Sequence, residues 1–257
     1  MHIVRFISGD RPTLGWVEDM TLYRLEGSPF GSFTRGAPVG PLDRVDLLAP
    51  CQPTKIVAIG RNYVAHAKEH QADVPAEPLI FLKPPSALLA PGHAIVLPPQ
   101  SKQVEHEAEL AVVIGRRAKN VPRAEAWSTV LGVTCANDVT ARDLQRRDGQ
   151  WSRAKGFDTF CPLGPWIETG LTPEHIGALS VVCRVNGQAR QSGNTRDLVF
   201  DIPRLIEHIS AVMTLEPGDV ILTGTPAGVG PLIEGDTVEV EIERIGVLSN
   251  PVRLPGA

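Results

Sequence analysis

Four cysteines in 257 residues, Cys51, Cys135, Cys161 and Cys183, form no Cys-x-x-Cys pair and have no histidine at zinc-finger spacing. A chain of this length can bury a sizeable core without cross-links, so they are expected as buried free thiols in a reducing compartment. No apolar run reaches transmembrane length, and Met1 to Ile7 lacks the apolar stretch and cleavage site of a signal peptide. A soluble cytoplasmic protein with no membrane partner is the expectation. Dense basic tracts are also absent, and a net charge of -4 excludes a nucleic-acid binder. There is no internal repeat and no low-complexity segment. What is abundant is Gly (24) and Pro (23), which implies many turns, few long helices and a strand-rich fold.

The pattern predicts two domains. Residues 1–50 read as a small β domain with short strands at 3–7, 14–18 and 21–25, closing in a Gly/Pro-rich stretch at 28–41. A larger unit spans residues 51–257. Strands are expected there at 55–60, 79–83, 94–97, 106–115 and 131–138, with short helices at 62–71 and around 123–130. Asn186-Gly187 between strand-like runs at 181–185 and 188–192 predicts a two-residue hairpin. A helix over 202–213 is expected to be capped by Asp201, with an apolar stripe facing the core. The chain ends in β structure at 219–223 and 236–244.

Glu107 and Glu109 stand two apart in the apolar run His106 to Gly115, and alternation along a strand puts them on one face. Such a pair is ordinary on a solvated sheet face; in a dry setting it needs positive charge between the carboxylates, which a hard divalent cation supplies. Asp138 ends a second apolar run and completes a trio suited to Mg²⁺. Beyond it, Arg142 and Gln145 lie three apart on a helix that Thr140 could cap, and either serve a ligand or form an exposed polar face. His66 and Glu69, also three apart, could be a hydrogen-bonded base dyad on a lid, although His70 is as well spaced from His66. Lys155 alone reads as a surface lysine. The run Thr223 to Gly230 lacks the GK[ST] ending of a phosphate loop, so nucleotide binding is rejected there, while Thr225 remains able to meet a carboxylate.

In order along the chain, Gly60-Arg61-Asn62-Tyr63 with His66 and Glu69, Phe81-Leu82-Lys83-Pro84, Glu107-Ala108-Glu109-Leu110, Asn137-Asp138-Val139-Thr140-Ala141-Arg142-Asp143, Ala154-Lys155-Gly156-Phe157 and Leu222 to Gly230 resemble the fumarylacetoacetate hydrolase family. The resemblance covers residues 51–252. Residues 1–50 resemble the N-terminal domain of bacterial 2-hydroxyhepta-2,4-diene-1,7-dioate isomerases. It implies an α+β, strand-rich fold with a mixed β-roll or β-sandwich core, a homodimer, and Mg²⁺ or Mn²⁺ held by Glu107, Glu109 and Asp138. It also implies a base dyad of His66 and Glu69, a catalytic Lys155, and substrate contacts from Arg142, Gln145 and Thr225. One departure is Gly156, where many relatives carry Ser. The implied activity acts on small 2-oxo or 2-hydroxy-enoic diacids through an enolate that the cation stabilises, with isomerisation in aromatic catabolism foremost. Acylpyruvate hydrolysis, oxaloacetate decarboxylation and a non-catalytic metal- or ligand-binding role are the alternatives.

Overall fold

The computed structural model describes residues 1–256. Alternating apolar residues at its start build an antiparallel meander of β1 (His2–Ser8), β2 (Arg11–Glu18), β3 (Thr21–Gly27) and β4 (Phe33–Pro41), with β5 (Leu47–Leu48) returning to β1. The strand β4 falls where the composition predicted only a Gly/Pro-rich stretch. It is the edge of its sheet, where Pro38 and Pro41 leave no interior ladder bond unmade.

The larger unit begins with β6 (Ile56–Gly60), α1 (Val64–Glu69) and β7 (Leu79–Lys83), then β8 (Leu88–Leu89), β9 (Ile95–Val96), β10 (Val104–His106), β11 (Ala108–Ile114), β12 (Val130–Asn137) and β13 (Thr140–Ala141). Next come α2 (Arg142–Asp148), α3 (Ser152–Lys155), β14 (Cys161–Glu168), α4 (Pro173–Ile176), β15 (Ser180–Val185), β16 (Gln188–Asn194) and α5 (Ile202–Val212). The strands β17 (Val220–Leu222), β18 (Gly230–Pro231), β19 (Thr237–Ile242) and β20 (Gly246–Arg253) finish the chain. The helix expected around 123–130 is a 3-10 turn, Arg123–Thr129. Asn186 and Gly187 both take positive φ, 53° and 75°, as the hairpin requires. Asp201 caps α5 by accepting the Arg204 N–H.

A mixed sheet runs β4-β3-β2-β1-β14-β12-β11-β17-β6-β7, so the N-terminal meander and the larger unit share one ladder through the β1–β14 pair. A second sheet, β16-β15-β19-β20-β9, packs against it. Every residue of β11 is buried, as expected for a central strand covered on both faces. Leu110, Val112 and Ile114 join the core shared with Val181, Val240 and Leu248, whereas Ala111 and Val113 face Ile56, Leu163 and Leu222. Glu109 lies on the second of these faces by the same alternation. The strand β14, with two prolines and a glycine, carried no sequence signal. It is nonetheless central, and its pairing with β12 shifts register between Val133 and Cys135. All four cysteines are buried and free. No helix among the described residues is long and apolar enough to cross a membrane.

Candidate active site

The site forms where β11 and β12 run out of ladder. Glu107 separates β10 from β11: its N–H goes to the Asn137 side chain at 2.9 Å, and its carbonyl accepts the Asp138 N–H at 2.8 Å. That register sets Glu107 beside Asp138, and alternation brings Glu109 to the same face. The three side chains are buried, and their oxygens lie within 4.8 Å of one another.

Counter-charges arrive from elsewhere in the chain. Lys155, at the end of α3, donates to Glu107 at 2.8 Å and to Asp138 at 2.6 Å, and its Nζ lies 5.1 Å from the centre of the Phe81 ring. It is 2% exposed, which replaces the surface-lysine reading. Lys83, quoted for the resemblance but given no role, ends β7 and donates to the other oxygen of Asp138. Arg142 donates through Nε to Glu105 at 2.7 Å, through Nη2 to Glu107 and through Nη1 to Gln145 at 2.6 Å. All three of its nitrogens are engaged, leaving one N–H on each Nη. Thr140 does not cap α2: the cap residue is Ala141, and the Thr140 hydroxyl donates to the Asp138 carbonyl at 2.8 Å. The hydroxyl is drawn into the site because β13 holds Thr140 beside Glu105.

These contacts set the charge states. Burial would raise the Glu107 carboxyl, but Lys155 and Arg142 outweigh it and hold Glu107 well below the usual carboxylate range. Glu109 goes the other way: burial, then Asp138 and Glu107, push it well above that range, and its hydrogen bond comes from the Gly224 N–H at 2.6 Å. Among the described residues Lys83, Lys155 and Arg142 make ion pairs with Glu105, Glu107 and Asp138, three cations for three carboxylates, and Glu109 makes none. A fourth buried carboxylate facing two others is what a hard divalent cation neutralises, and the all-oxygen donor set suits one. The residues present therefore fit such an ion.

Across the cavity, α1 presents His66, whose Nδ1 lies 3.3 Å from Glu69. Burial lowers the imidazole below its ordinary value despite the nearby Glu107 charge, so it is neutral at neutral pH. Glu69 also accepts the Gly228 N–H at 3.0 Å, tying α1 to the loop after β17. Asn62 anchors the same segment from below, donating to the Phe200 and Thr223 carbonyls at 3.0 and 2.8 Å. Gly224, at φ 106°, lies so close that an added Cβ would meet the Asn62 Cβ at 2.7 Å. Thr225 Oγ1 donates to the Ala108 carbonyl at 2.8 Å and accepts from Gln191 at 2.7 Å. At Gly156 a Cβ would stand 2.4 Å from the Ser152 carbonyl, so the backbone here calls for the glycine that departs from many relatives.

All nine residues singled out in the sequence converge. Eight of them line one cavity of about 210 Å³, and Glu69 stands behind His66. Sequence reasoning assigned no role to Lys83, Glu105 or Gln191. A lysine ending an apolar strand just before a proline was a usable signal for Lys83; Glu105 and Gln191 carried none. Arg61 and Arg146 also reach the cavity, and among the described residues neither makes an ion pair with an acidic side chain.

Residues 55–253 match the family described as Fumarylacetoacetate (FAA) hydrolase C-terminal, and residues 1–50 match the one described as Rv2993c-like, N-terminal. The chain is 50% identical over 239 residues to protein Rv2993c of Mycobacterium tuberculosis, covering 93% of this chain and 90% of that one. It is 46% identical over 256 residues to the human protein named oxaloacetate tautomerase FAHD2A, mitochondrial, covering 94% and 81%. A crystal structure of 2-hydroxyhepta-2,4-diene-1,7-dioate isomerase from Mycobacterium marinum superposes with a TM-score of 0.91 at 45% identity, covering the whole of both chains. This chain belongs to the fumarylacetoacetate hydrolase family and is an enzyme of it.

Proposed function

We propose that this enzyme moves a proton within a 2-oxo or 2-hydroxy-enoic diacid, as an isomerase of the 2-hydroxyhepta-2,4-diene-1,7-dioate type using Mg²⁺ or Mn²⁺. The observation that carries the reading is the buried His66 backed by Glu69, facing the Glu107, Glu109 and Asp138 cluster across one small cavity. In this reading the three carboxylates hold the ion. Bound there, it supplies Lewis-acid stabilisation of negative charge on the substrate's carboxylate and 2-oxygen.

With its Nδ1 turned to Glu69, His66 keeps Nε2 for the substrate: it takes a proton at one atom and returns it at another. Glu69 orients the ring and stabilises its charged form. Lys155 lies between Glu107 and Asp138 and favours anion at the reacting end, while Gln145, its oxygen held by Arg142, keeps its amide N–H groups for the substrate. Thr225 fixes the wall that meets a carboxylate. Arg142 is largely occupied, so the second carboxylate of a diacid falls to Arg61 and Arg146 at the rim.

The name of the human relative favours a second reading, tautomerisation of oxaloacetate, in which the same dyad moves a proton between C3 and the 2-oxygen of a shorter diacid. The proposal includes a homodimeric, cytoplasmic enzyme of aromatic catabolism, with residues 1–50 as a small unit beside a catalytic unit at 51–257. Proton NMR in D₂O, with Mg²⁺ and then with chelator, tests it on a 2-hydroxy-2,4-dienedioate, oxaloacetate and an acylpyruvate. The expected outcome is chelator-sensitive double-bond migration with the dienedioate. Chelator-sensitive keto–enol exchange of oxaloacetate alone selects the second reading. Pyruvate with a free acid means hydrolysis, pyruvate with CO₂ means decarboxylation, and either product overturns proton transfer as the function.

A further inference from the structure

The helix α1 and its C-cap carry more than a base. His66, Glu69 and His70 present two imidazoles and a carboxylate whose donor atoms lie within 4.8 Å of one another, apart from the acidic cluster. The spacing i, i+3, i+4 projects all three to one side. The two rings meet edge to face with centroids 4.7 Å apart. Nε2 of His70 is buried and has no hydrogen-bond partner among the described residues, an arrangement that costs stability until something pairs with the nitrogen.

We propose that His66, Glu69 and His70 form a second cation site, selective for a borderline divalent ion of the Zn²⁺ type, and that occupancy there switches the enzyme off. Imidazole nitrogens with one carboxylate suit Zn²⁺ and its neighbours, whereas the oxygen-only Glu107, Glu109 and Asp138 set suits Mg²⁺ or Mn²⁺. The 3.3 Å between His66 Nδ1 and Glu69 Oε2 matches the separation of about 3.3 Å for two donors at ~2.0–2.1 Å on a tetrahedral ion. A rotation of the His70 ring completes three protein ligands, leaving the fourth position to water. An ion here takes up the imidazole that the proposed mechanism uses as base. Binding stands on this geometry alone; inhibition rests on the His66 reading.

The experiment uses the full chain with saturating Mg²⁺, dialysed against micromolar Zn²⁺, and measures zinc per chain by atomic emission for wild type and His70→Gln. The expected result is one zinc per wild-type chain that excess Mg²⁺ does not displace, less than a tenth of that in His70→Gln, and Zn²⁺ inhibition of wild-type proton exchange. Equal zinc in both proteins, or none in wild type, overturns the site. Zinc bound through His70 with exchange undiminished keeps the site and removes His66 as base. Should His70→Gln fail to fold, Co²⁺ added to Mg²⁺-loaded wild type decides. Intense visible bands of a four-coordinate nitrogen-containing site support the proposal, and only the weak bands of octahedral oxygen ligation overturn it.

Discussion

Neighbouring charges, more than residue type, decide what each side chain at this site can do. Glu107 and Glu109 are the same residue two apart, yet Lys155 and Arg142 hold one well below the usual carboxylate range while burial, then Asp138 and Glu107, push the other well above it. At His66 exclusion from water outweighs the neighbouring charges. Burial lowers it, so the neutral base persists below pH 6.5 and the acid limb of the rate profile falls under the ordinary imidazole value. His66→Gln should cut turnover on the order of 10²–10⁴-fold and abolish that limb while leaving the melting temperature near wild type, as checked by kcat against pH and thermal melts. Retention of turnover would remove His66 as the base. Although Lys155 by itself read as a surface lysine, the nine site residues were legible together, through the order of their short motifs along the chain. Glu105 was not, since nothing in the local sequence says that its partner is Arg142, 37 residues away.

At the scale of elements, what could be read depended on whether the signal was local. Asn186-Gly187 and the Asp201 cap act within a few residues and were visible, whereas β14 carried no strand signal because Pro162, Gly164 and Pro165 break its pattern. Its burial between β1 and β12 overrides that propensity. The same strand ties the N-terminal meander to the rest. Glu168 pairs with His2 at 2.7 Å, and although burial pushes its carboxyl up, bonds from His2, the Gly170 N–H and the amino terminus bring it down to about 2. A depressed carboxyl contributes stability above its unfolded value of 4.5, lost as pH falls through the folded value. Glu168→Gln should therefore cost of the order of 2 kcal/mol at pH 7 and much less at pH 2, as measured by urea unfolding at both. Equal losses at the two values would assign the effect to packing.

For the molecule as a whole, the acidic cluster joins β11, the end of β12 and, through Lys83 and Lys155, β7 and α3. A cation at Glu107, Glu109 and Asp138 should stabilise the fold by about 2.7 kcal/mol at 100 times its Kd. For a chain of this size that is a rise in Tm of about 5–10 °C, reversed by chelator and absent in Glu109→Ala. A Tm unmoved by Mg²⁺ or Mn²⁺ would argue against a resident ion at this cluster. The sequence by itself determined the features that arise from short-range periodicity. These are the shared face of Glu107 and Glu109, the hairpin, the capped helix and the strand-rich class, whereas the choice of Glu69 over His70 as the partner of His66 came from the fold. Only the tertiary structure decided that Lys155 is buried, that Lys83 pairs with Asp138 and that, among the described residues, Glu109 makes no ion pair while Glu105, Glu107 and Asp138 do. The physical reason is range: backbone geometry acts over two to four residues, while Lys83 and Lys155 meet their carboxylates across 55 and 48 residues, through sheet packing that no local pattern encodes.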